Sequence, residues 1–141
     1  MITPHEFQPS SPFMNGKQLA AIISNLSNDQ ITCEGPMIHF SVDGTSLLCV
    51  FDETHDRIRV ICPVIAIDQV PPAQRDAVME ANFHSALDAR YAVSGGTLYS
   101  AFIHPLSSLT ERDLISGISQ TQHLAATFGT DYTSGTLHFG G

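Results

Sequence analysis

Apolar and polar residues alternate over much of residues 31 to 66, a spacing of two that places side chains on opposite faces of a β-strand. The stretch IHFSV at 38–42 alternates, Asp43-Gly44 then offers a turn that tolerates positive φ, and SLLCVFD returns. A second polar turn at 53–56 leads to RIRVICPVIAI, whose last part is continuously apolar, as in a strand covered on both faces. We therefore predict three successive antiparallel strands.

Two further strands flank a glycine pair. DARYAV and TLYSAFIHP stand on either side of Ser94-Gly95-Gly96, where glycine supplies the positive φ of a tight turn. A hydrolase elbow instead needs Gly-x-Ser-x-Gly between a strand and a helix. Ser94 joins strand to strand and Ser134 lies near the end of the chain, so we predict a hairpin and no catalytic serine.

Three helices complete the pattern. Asn15 precedes the first helix as an N-cap, and Pro72 suits the first position of the second. Thr110 followed by Asp113 resembles a capping box that opens the third helix. Gly117 in the middle of that helix costs roughly 1 kcal/mol against alanine. It either permits a close approach of the helix or is a tolerated weak position, and the sequence leaves both readings open.

The element order is thus α-β-β-β-α-β-β-α. We expect one α+β domain over residues 15–129, with a twisted, mainly antiparallel sheet of about five strands and helices packed on it. Residues 1–14 are predicted to be an N-terminal arm and residues 130–141 a C-terminal tail, with a short strand at 136–139 as an alternative to a loose tail.

Charge excludes several classes of partner. Six Lys and Arg stand against fourteen Asp and Glu, a formal net charge of −8 without a basic block. Because phosphate groups would be repelled, we expect no binding to nucleic acid or to anionic membranes, whereas a basic protein partner fits the sign of the charge. No run of about 18 apolar residues occurs, and the first residues lack the pattern of a signal peptide, so we expect a cytoplasmic protein.

Neither cysteine nor histidine spacing indicates a metal site. Cys33, Cys49 and Cys62 lack a C-x-x-C spacing and lie in apolar surroundings, which predicts three buried reduced thiols. The seven histidines show no ligand pairs at the short spacings of zinc sites. A small metal-dependent enzyme using His84 and His104 is kept as an alternative.

Other catalytic motifs are missing too. The acidic turn at 52–56 lacks the spacing of an EF-hand, and the sequence contains no phosphate-binding glycine motif. We therefore predict a protein that is not an enzyme and that uses no cofactor.

Both faces of the predicted sheet are apolar. Three helices cover one face of about five strands but not two, and monomers seldom expose apolar patches above a few hundred Å². The second helix or the Pro-rich arm could fold across the second face, a homodimer or a protein client could cover it, or it could enclose the pocket of a small-ligand sensor. We expect the first helix to help form a groove with Leu19, Ile22, Ile23 and Leu26. The sheet row that meets a second subunit or a client is expected to comprise Leu47, Cys49, Phe51, Tyr99, Ala101 and Ile103.

The stretches IHFSVDGTSLLCVFDETHDRIRVICPV and MEANFHSALDARYAVSGGTLYSAFIHPLSSLT resemble the YbjN family of bacterial proteins, which share a type III secretion chaperone-like fold. The resemblance covers roughly residues 15 to 128 and rests on the hairpin after the middle helix, Asn82 within that helix, and the Leu106 to Thr110 entry to the last helix. It implies the fold and a tendency to form homodimers. In the secretion-chaperone branch it also implies an extended partner segment held against apolar patches, and it implies no catalytic residues.

Overall fold

The structure, a computed structural model, describes residues 14–135. Within that range the chain forms a single α+β domain with three α-helices, one short 3-10 helix and six strands. The helices are α1 Gly16–Leu26, α2 Pro72–His84 and α3 Glu111–Ala126, with the 3-10 turn at Ile67–Gln69. The strands are β1 Thr32–Glu34, β2 Met37–Val42, β3 Thr45–Asp52, β4 Arg57–Ala66, β5 Arg90–Ser94 and β6 Thr97–His104.

The predicted fold class is confirmed, with one added strand. All neighbouring strands are antiparallel, in the order β1-β2-β3-β4-β6-β5. The added strand is β1, whose three residues are all exposed. A strand with no buried side chain carries no apolar alternation, which is why the sequence pattern did not reveal it.

Both predicted hairpins have the backbone that their turn residues favour. Asp43 and Gly44 between β2 and β3 have φ of 51° and 77°, and Gly95 and Gly96 between β5 and β6 have φ of 54° and 82°. Two successive residues at positive φ form the tight turn whose twist matches antiparallel strands. Ser94 is thus the last residue of a strand before a hairpin, as predicted.

The helices begin where their caps were predicted. The Asn15 side chain accepts from the Gln18 backbone N–H at 2.9 Å, and the Gln18 side chain accepts in return from the Asn15 N–H at 3.0 Å. Thr110 and Asp113 form the same reciprocal pair at 3.0 and 3.2 Å. Pro72 occupies the start of α2, where its missing N–H leaves no bond unmade.

One apolar core lies between the sheet and helices α1 and α3. Leu19 and Ile23 of α1 and Leu114 and Ile118 of α3 are at most 2% exposed. The sheet side chains that pack with them in this core are Ile38, Phe40, Leu47, Cys49, Ile58, Val60, Cys62, Leu98 and Phe102. We call the surface of the sheet that carries these residues the core face.

Gly117 is a close-packing position and not merely a tolerated one. A Cβ built there would stand 2.4 Å from Cδ2 of Phe102, 2.5 Å from Cε2 and 2.6 Å from Cγ, distances that real Cβ atoms essentially never show. Nearby, the Ser100 hydroxyl donates to the Thr121 carbonyl at 2.8 Å. The glycine therefore lets α3 lie directly on the ring of Phe102.

Residues 127–135 fold back onto the loop after α2. Ser134 is 2% exposed, and its hydroxyl accepts from the Leu87 N–H at 2.8 Å. The Ser85 hydroxyl donates to the Tyr132 carbonyl. Part of the predicted C-terminal tail is thus tied to the domain, whereas the predicted strand at 136–139 and the arm up to residue 13 lie outside the described residues.

Candidate protein-binding face

The second surface of the sheet is apolar at its centre. In one row across three adjacent strands, Leu48 of β3 pairs with Ile61 of β4, which pairs with Ala101 of β6. In the next row Val50 pairs with Arg59, and Arg59 with Ile103. We call this surface the open face; its central residues are Leu48, Val50, Arg59, Ile61, Tyr99, Ala101 and Ile103, and Arg57 and Arg90 lie at its margins.

The helices in the described part of the chain do not cover the open face. Along β4, the buried residues Ile58 and Val60 alternate with the exposed Arg59, and 53% of Ile103 on β6 is exposed. The α3 contacts run to the other surface, where Phe102 meets Gly117. An apolar surface at the middle of a sheet therefore faces outward among residues 14–135.

The expectation that six sheet residues share one face is wrong. In the β2–β3 hairpin Phe40 pairs with Leu47 and Ile38 pairs with Cys49, so Leu47 and Cys49 lie on the core face, where both are buried. Phe51 lies on the same face, half-buried, and its ring is so close to Gly16 that a Cβ added there would stand 2.8 Å from Cζ. Because SLLCVFD has apolar residues at both its odd and its even positions, its pattern alone does not say which residues face the helices.

Only Tyr99, Ala101 and Ile103 of that predicted row lie on the open face. Tyr99 is half-buried and Ala101 is 8% exposed, so Ile103 is the most accessible of the three. Their role as a partner surface stays a prediction, and the strand register adds Leu48 and Val50 to the same surface.

Helix α1 offers less surface than predicted. Leu19 and Ile23 are 0% exposed and form part of the core, so they cannot line a groove at the surface. Ile22 and Leu26 are half-buried and pack against the core at its margin. The regular spacing that predicted the helix also buries two of the four residues expected to line the groove, as an amphipathic helix on a sheet should.

A second exposed apolar surface, not predicted from the sequence, lies at α2 and β5. Met79 and Phe83, one helical turn apart, are 70% and 79% exposed, and Val93 of β5 is 55% exposed. Val78 and Ala81 define the buried stripe of α2, and helical spacing places Met79 and Phe83 outside that stripe. We call these three residues the α2–β5 patch.

Asn82 ties α2 to the outer edge of the sheet. Its Oδ1 accepts from the Tyr91 N–H at 2.8 Å and its Nδ2 donates to the Tyr91 carbonyl at 3.0 Å. Tyr91 lies on the edge strand β5, so the carboxamide takes the place of a neighbouring strand at this residue. The Tyr91 hydroxyl donates to the Leu124 carbonyl at 2.7 Å, and its burial raises the pKa of the phenol.

His84 and His104, which the alternative of a metal-dependent enzyme would use, have different surroundings. His84 ends α2, exposed, with its ring edge-on to Phe83 at 4.9 Å between centroids. His104 ends β6, with Nδ1 at 2.8 Å from the Pro105 carbonyl and Nε2 at 4.0 Å from Asp113. Residues 14–135 contain no group of three or more His, Cys, Asp or Glu side chains placed to hold a metal ion.

The three cysteine thiols differ in their exposure to solvent. Cys49 and Cys62 are buried, and burial raises the pKa of Cys49 to about 12 and that of Cys62 above its usual range. Cys33 on β1 is exposed, which corrects the expectation of three buried thiols. Because β1 is an edge strand with no covered face, its cysteine has nothing to be buried under.

A groove of about 780 Å³ runs beside α3 and is lined in part by Leu87, Ile115 and Gln120. It is open to solvent, unlike the enclosed pockets in which small ligands are usually buried. The open face and this groove are separate surfaces, because the lining residues of the groove belong to α3 and its neighbouring loops.

Comparison with known proteins identifies the fold. No protein-family model matches the chain, and no curated protein sequence matches it. Among solved structures, a chain of the HopA1–SchA chaperone–effector complex superposes with a TM-score of 0.60 at 10% identity, over 78% of this chain and 88% of that one. A chain of the ExsC–ExsE complex gives 0.56 at 13% identity over 76% and 84%.

A third structure is that of the Yersinia pestis type III secretion chaperone SycH in complex with a stable fragment of YscM2, with a TM-score of 0.56 at 12% identity over 79% of this chain and 99% of that one. The chain therefore has the α+β fold of the type III secretion chaperones. No helix in residues 14–135 has the length and apolar character needed to span a membrane.

Proposed function

We propose that this protein is a non-enzymatic, chaperone-like binding module that holds a segment of a partner protein on the open face. The observation that carries the proposal is the apolar centre of that face, with Leu48, Ile61 and Ala101 in one row and the exposed Ile103 beside them. An outward apolar patch surrounded by polar residues is typical of a protein interaction site.

The structural likeness supports the same function. The three similar structures are complexes of two proteins, two of them described as containing a chaperone, and the fold of this chain matches theirs over most of its length. The stretches quoted above resemble the YbjN family, which favours a bacterial cytoplasmic protein with a chaperone-like or regulatory role. The fold alone does not specify function, so the open face and not the likeness must be tested.

The protein is further proposed to act as a homodimer through the α2–β5 patch. Met79, Phe83 and Val93 are each more than half exposed and lie at one edge of the sheet, away from its open face. Large exposed aromatic and Met side chains are enriched in protein interfaces. Pairing two copies there would cover the patch and leave both open faces available to partners.

Selection of displayed random peptides on the immobilised full-length protein tests the binding site. Ile103→Asp should abolish enrichment of peptides, because it removes the most exposed aliphatic side chain of the face and places a carboxylate opposite Arg59, where it occupies the guanidinium. Ile115→Asp is the matched control, since Ile115 is also an exposed isoleucine, 39% accessible, on a different surface. Equal loss in both variants, or unchanged enrichment with Ile103→Asp, would show that the open face is not the site.

Light scattering after size exclusion tests the dimer independently. The native chain should elute with the mass of two copies, Phe83→Asp should give the mass of one, and Ile103→Asp should remain dimeric. A native monomer would refute the dimer, and a dimer that only Ile103→Asp dissociates would move the self-association site to the open face.

A further inference from the structure

An arginine lies at the centre of the open face. Arg59 is on β4, the fourth of six strands, and its cross-strand neighbours on this surface are Val50 on one side and Ile103 on the other. Ile61 follows it along the strand on the same face. Arg59 is exposed, and within residues 14–135 its guanidinium forms no ion pair. A permanent positive charge thus has aliphatic neighbours on both adjacent strands and at the next position of the same face along β4.

The other two arginines of this surface already have partners. Arg57 lies opposite Asp52 across the strands, and its guanidinium donates to the Asp56 carbonyl at 2.9 Å. Arg90, opposite Ala101, donates to the carbonyls of the loop that precedes β5. Among residues 14–135, Arg59 is the arginine on this face whose guanidinium has neither a hydrogen-bond acceptor nor an ion-pair partner.

The local charge also runs against the charge of the whole protein. Only six Lys and Arg are present in a chain of net charge −8, and three of the six lie on this one face. Net charge favoured a basic partner, but the charge at the apolar centre of this surface is the positive Arg59, and the carboxylate of Asp52 lies at its margin, opposite Arg57. Attraction at close range depends on the charges at the interface, because salt screens the effect of charges more than about 10 Å away.

We propose that the protein segment bound on the open face presents a carboxylate to Arg59, flanked by apolar side chains that pack on Val50, Ile61 and Ile103. The inference rests on the proposed function and specifies the chemistry of its partner: an apolar segment with an Asp or Glu at its centre. Arginine binds a carboxylate through two parallel N–H donors, a geometry that lysine does not reproduce.

The arginine makes the face selective. When a partner covers it, the guanidinium loses its water, and a buried charge without an opposite charge is strongly unfavourable. A purely apolar segment would bear that cost, and a segment with Lys or Arg at this position would add repulsion. Arginine among apolar residues at the centre of an interface is a frequent hot spot, because the contacts around it exclude water.

The test is peptide selection on the full-length protein and on variants at this site. Peptides selected on the native chain should be enriched in Asp or Glu between apolar residues. Their affinity, measured by fluorescence anisotropy, should fall at least about tenfold with Arg59→Gln and with Arg59→Lys, and further with Arg59→Glu. Arg112→Glu, an exposed arginine of α3, is the charge-matched control and should bind as the native chain does.

The outcomes separate this inference from the proposed function. Apolar peptides without acidic residues, lost with Ile103→Asp but retained with Arg59→Glu, would overturn the inference and leave the proposed function standing. Failure to enrich any peptide would overturn both. Unfolding in urea should be nearly unchanged by the Arg59 substitutions, since the side chain is exposed, so a loss of binding reports recognition and not folding.

Two other occupants of the face give distinct results. The chain itself contains an acidic residue next to an aromatic one, Glu6 and Phe7. Tighter peptide binding by Glu6→Gln would mean that this segment competes for Arg59, and unchanged binding supports an external partner. Dissociation of the native dimer by Arg59→Glu would assign the face to a second copy and overturn the proposal.

Discussion

Replacing Gly117 by alanine tests whether α3 is held against the sheet at van der Waals distance. In an ordinary helix the change stabilises by about 1 kcal/mol, because glycine loses more backbone freedom on folding. Here the new methyl group would lie 2.4 to 2.6 Å from three ring atoms of Phe102, about 1 Å inside ordinary contact. Phe102 is 3% exposed and has little room to move.

The steric term should exceed the gain in helix propensity. Inserting a methyl group into a well-packed core costs about 1–3 kcal/mol, and three contacts below 3.0 Å place this site at the upper end. Subtracting the propensity gain leaves a net loss of about 2 kcal/mol in the free energy of unfolding. For a domain of this size that corresponds to a fall in Tm of about 4–8 °C.

Urea unfolding followed by circular dichroism measures the effect. Ser119→Ala, at an exposed position of the same helix, is the control and should stabilise by a few tenths of a kcal/mol. Phe102→Leu removes much of the ring, so Gly117→Ala should cost clearly less in that background than in the native chain. A Gly117→Ala protein as stable as the native one, or more stable, would refute the close packing.

Thiol chemistry and acid stability provide two further tests. A disulfide reagent at neutral pH should modify Cys33 rapidly in the folded protein and reach Cys49 and Cys62 only on unfolding, because those two are buried and burial raises the pKa of each; rapid reaction of a second thiol would contradict this arrangement. Hydrogen bonds from Ser107 hold the pKa of Asp56 below its ordinary value of 3.8, so this carboxylate stabilises the fold above that pH and its contribution is lost as pH falls further. The native chain should therefore exceed Asp56→Asn in urea stability at neutral pH, and the difference should shrink below pH 3.8; a difference independent of pH would be inconsistent with the shift.

The local features of the fold were predictable because short stretches of sequence determine them. Asp43-Gly44 and Gly95-Gly96 take the positive φ that tight hairpins require, and Asn15 caps the helix that follows it. These residues act through their own backbone or within one turn of it. The fold class followed, since hairpins and capped helices in this order leave few arrangements.

The composition of the open face was less accessible to the same reasoning. In SLLCVFD, apolar residues occupy both odd and even positions, so both faces of the strand are apolar at its centre. Only the pairing with β2 determines that Leu47 and Cys49 face the helices. The sequence pattern does not single out Arg59 for a related reason, because a charge in an alternating strand is normally assigned to solvent. Its significance depends on Val50 and Ile103, which come from two other strands.

Methyl NMR of the full-length protein with a soluble paramagnetic probe tests the central claim most directly. The Ile103 methyl signals should relax strongly in the free protein, while those of Ile58 and Ile118, at most 2% exposed, should not. Adding a selected peptide should protect Ile103 and leave the two buried residues as they were. An Ile103 already protected in the free chain, or a bound peptide that leaves it exposed, would contradict an outward face that binds protein.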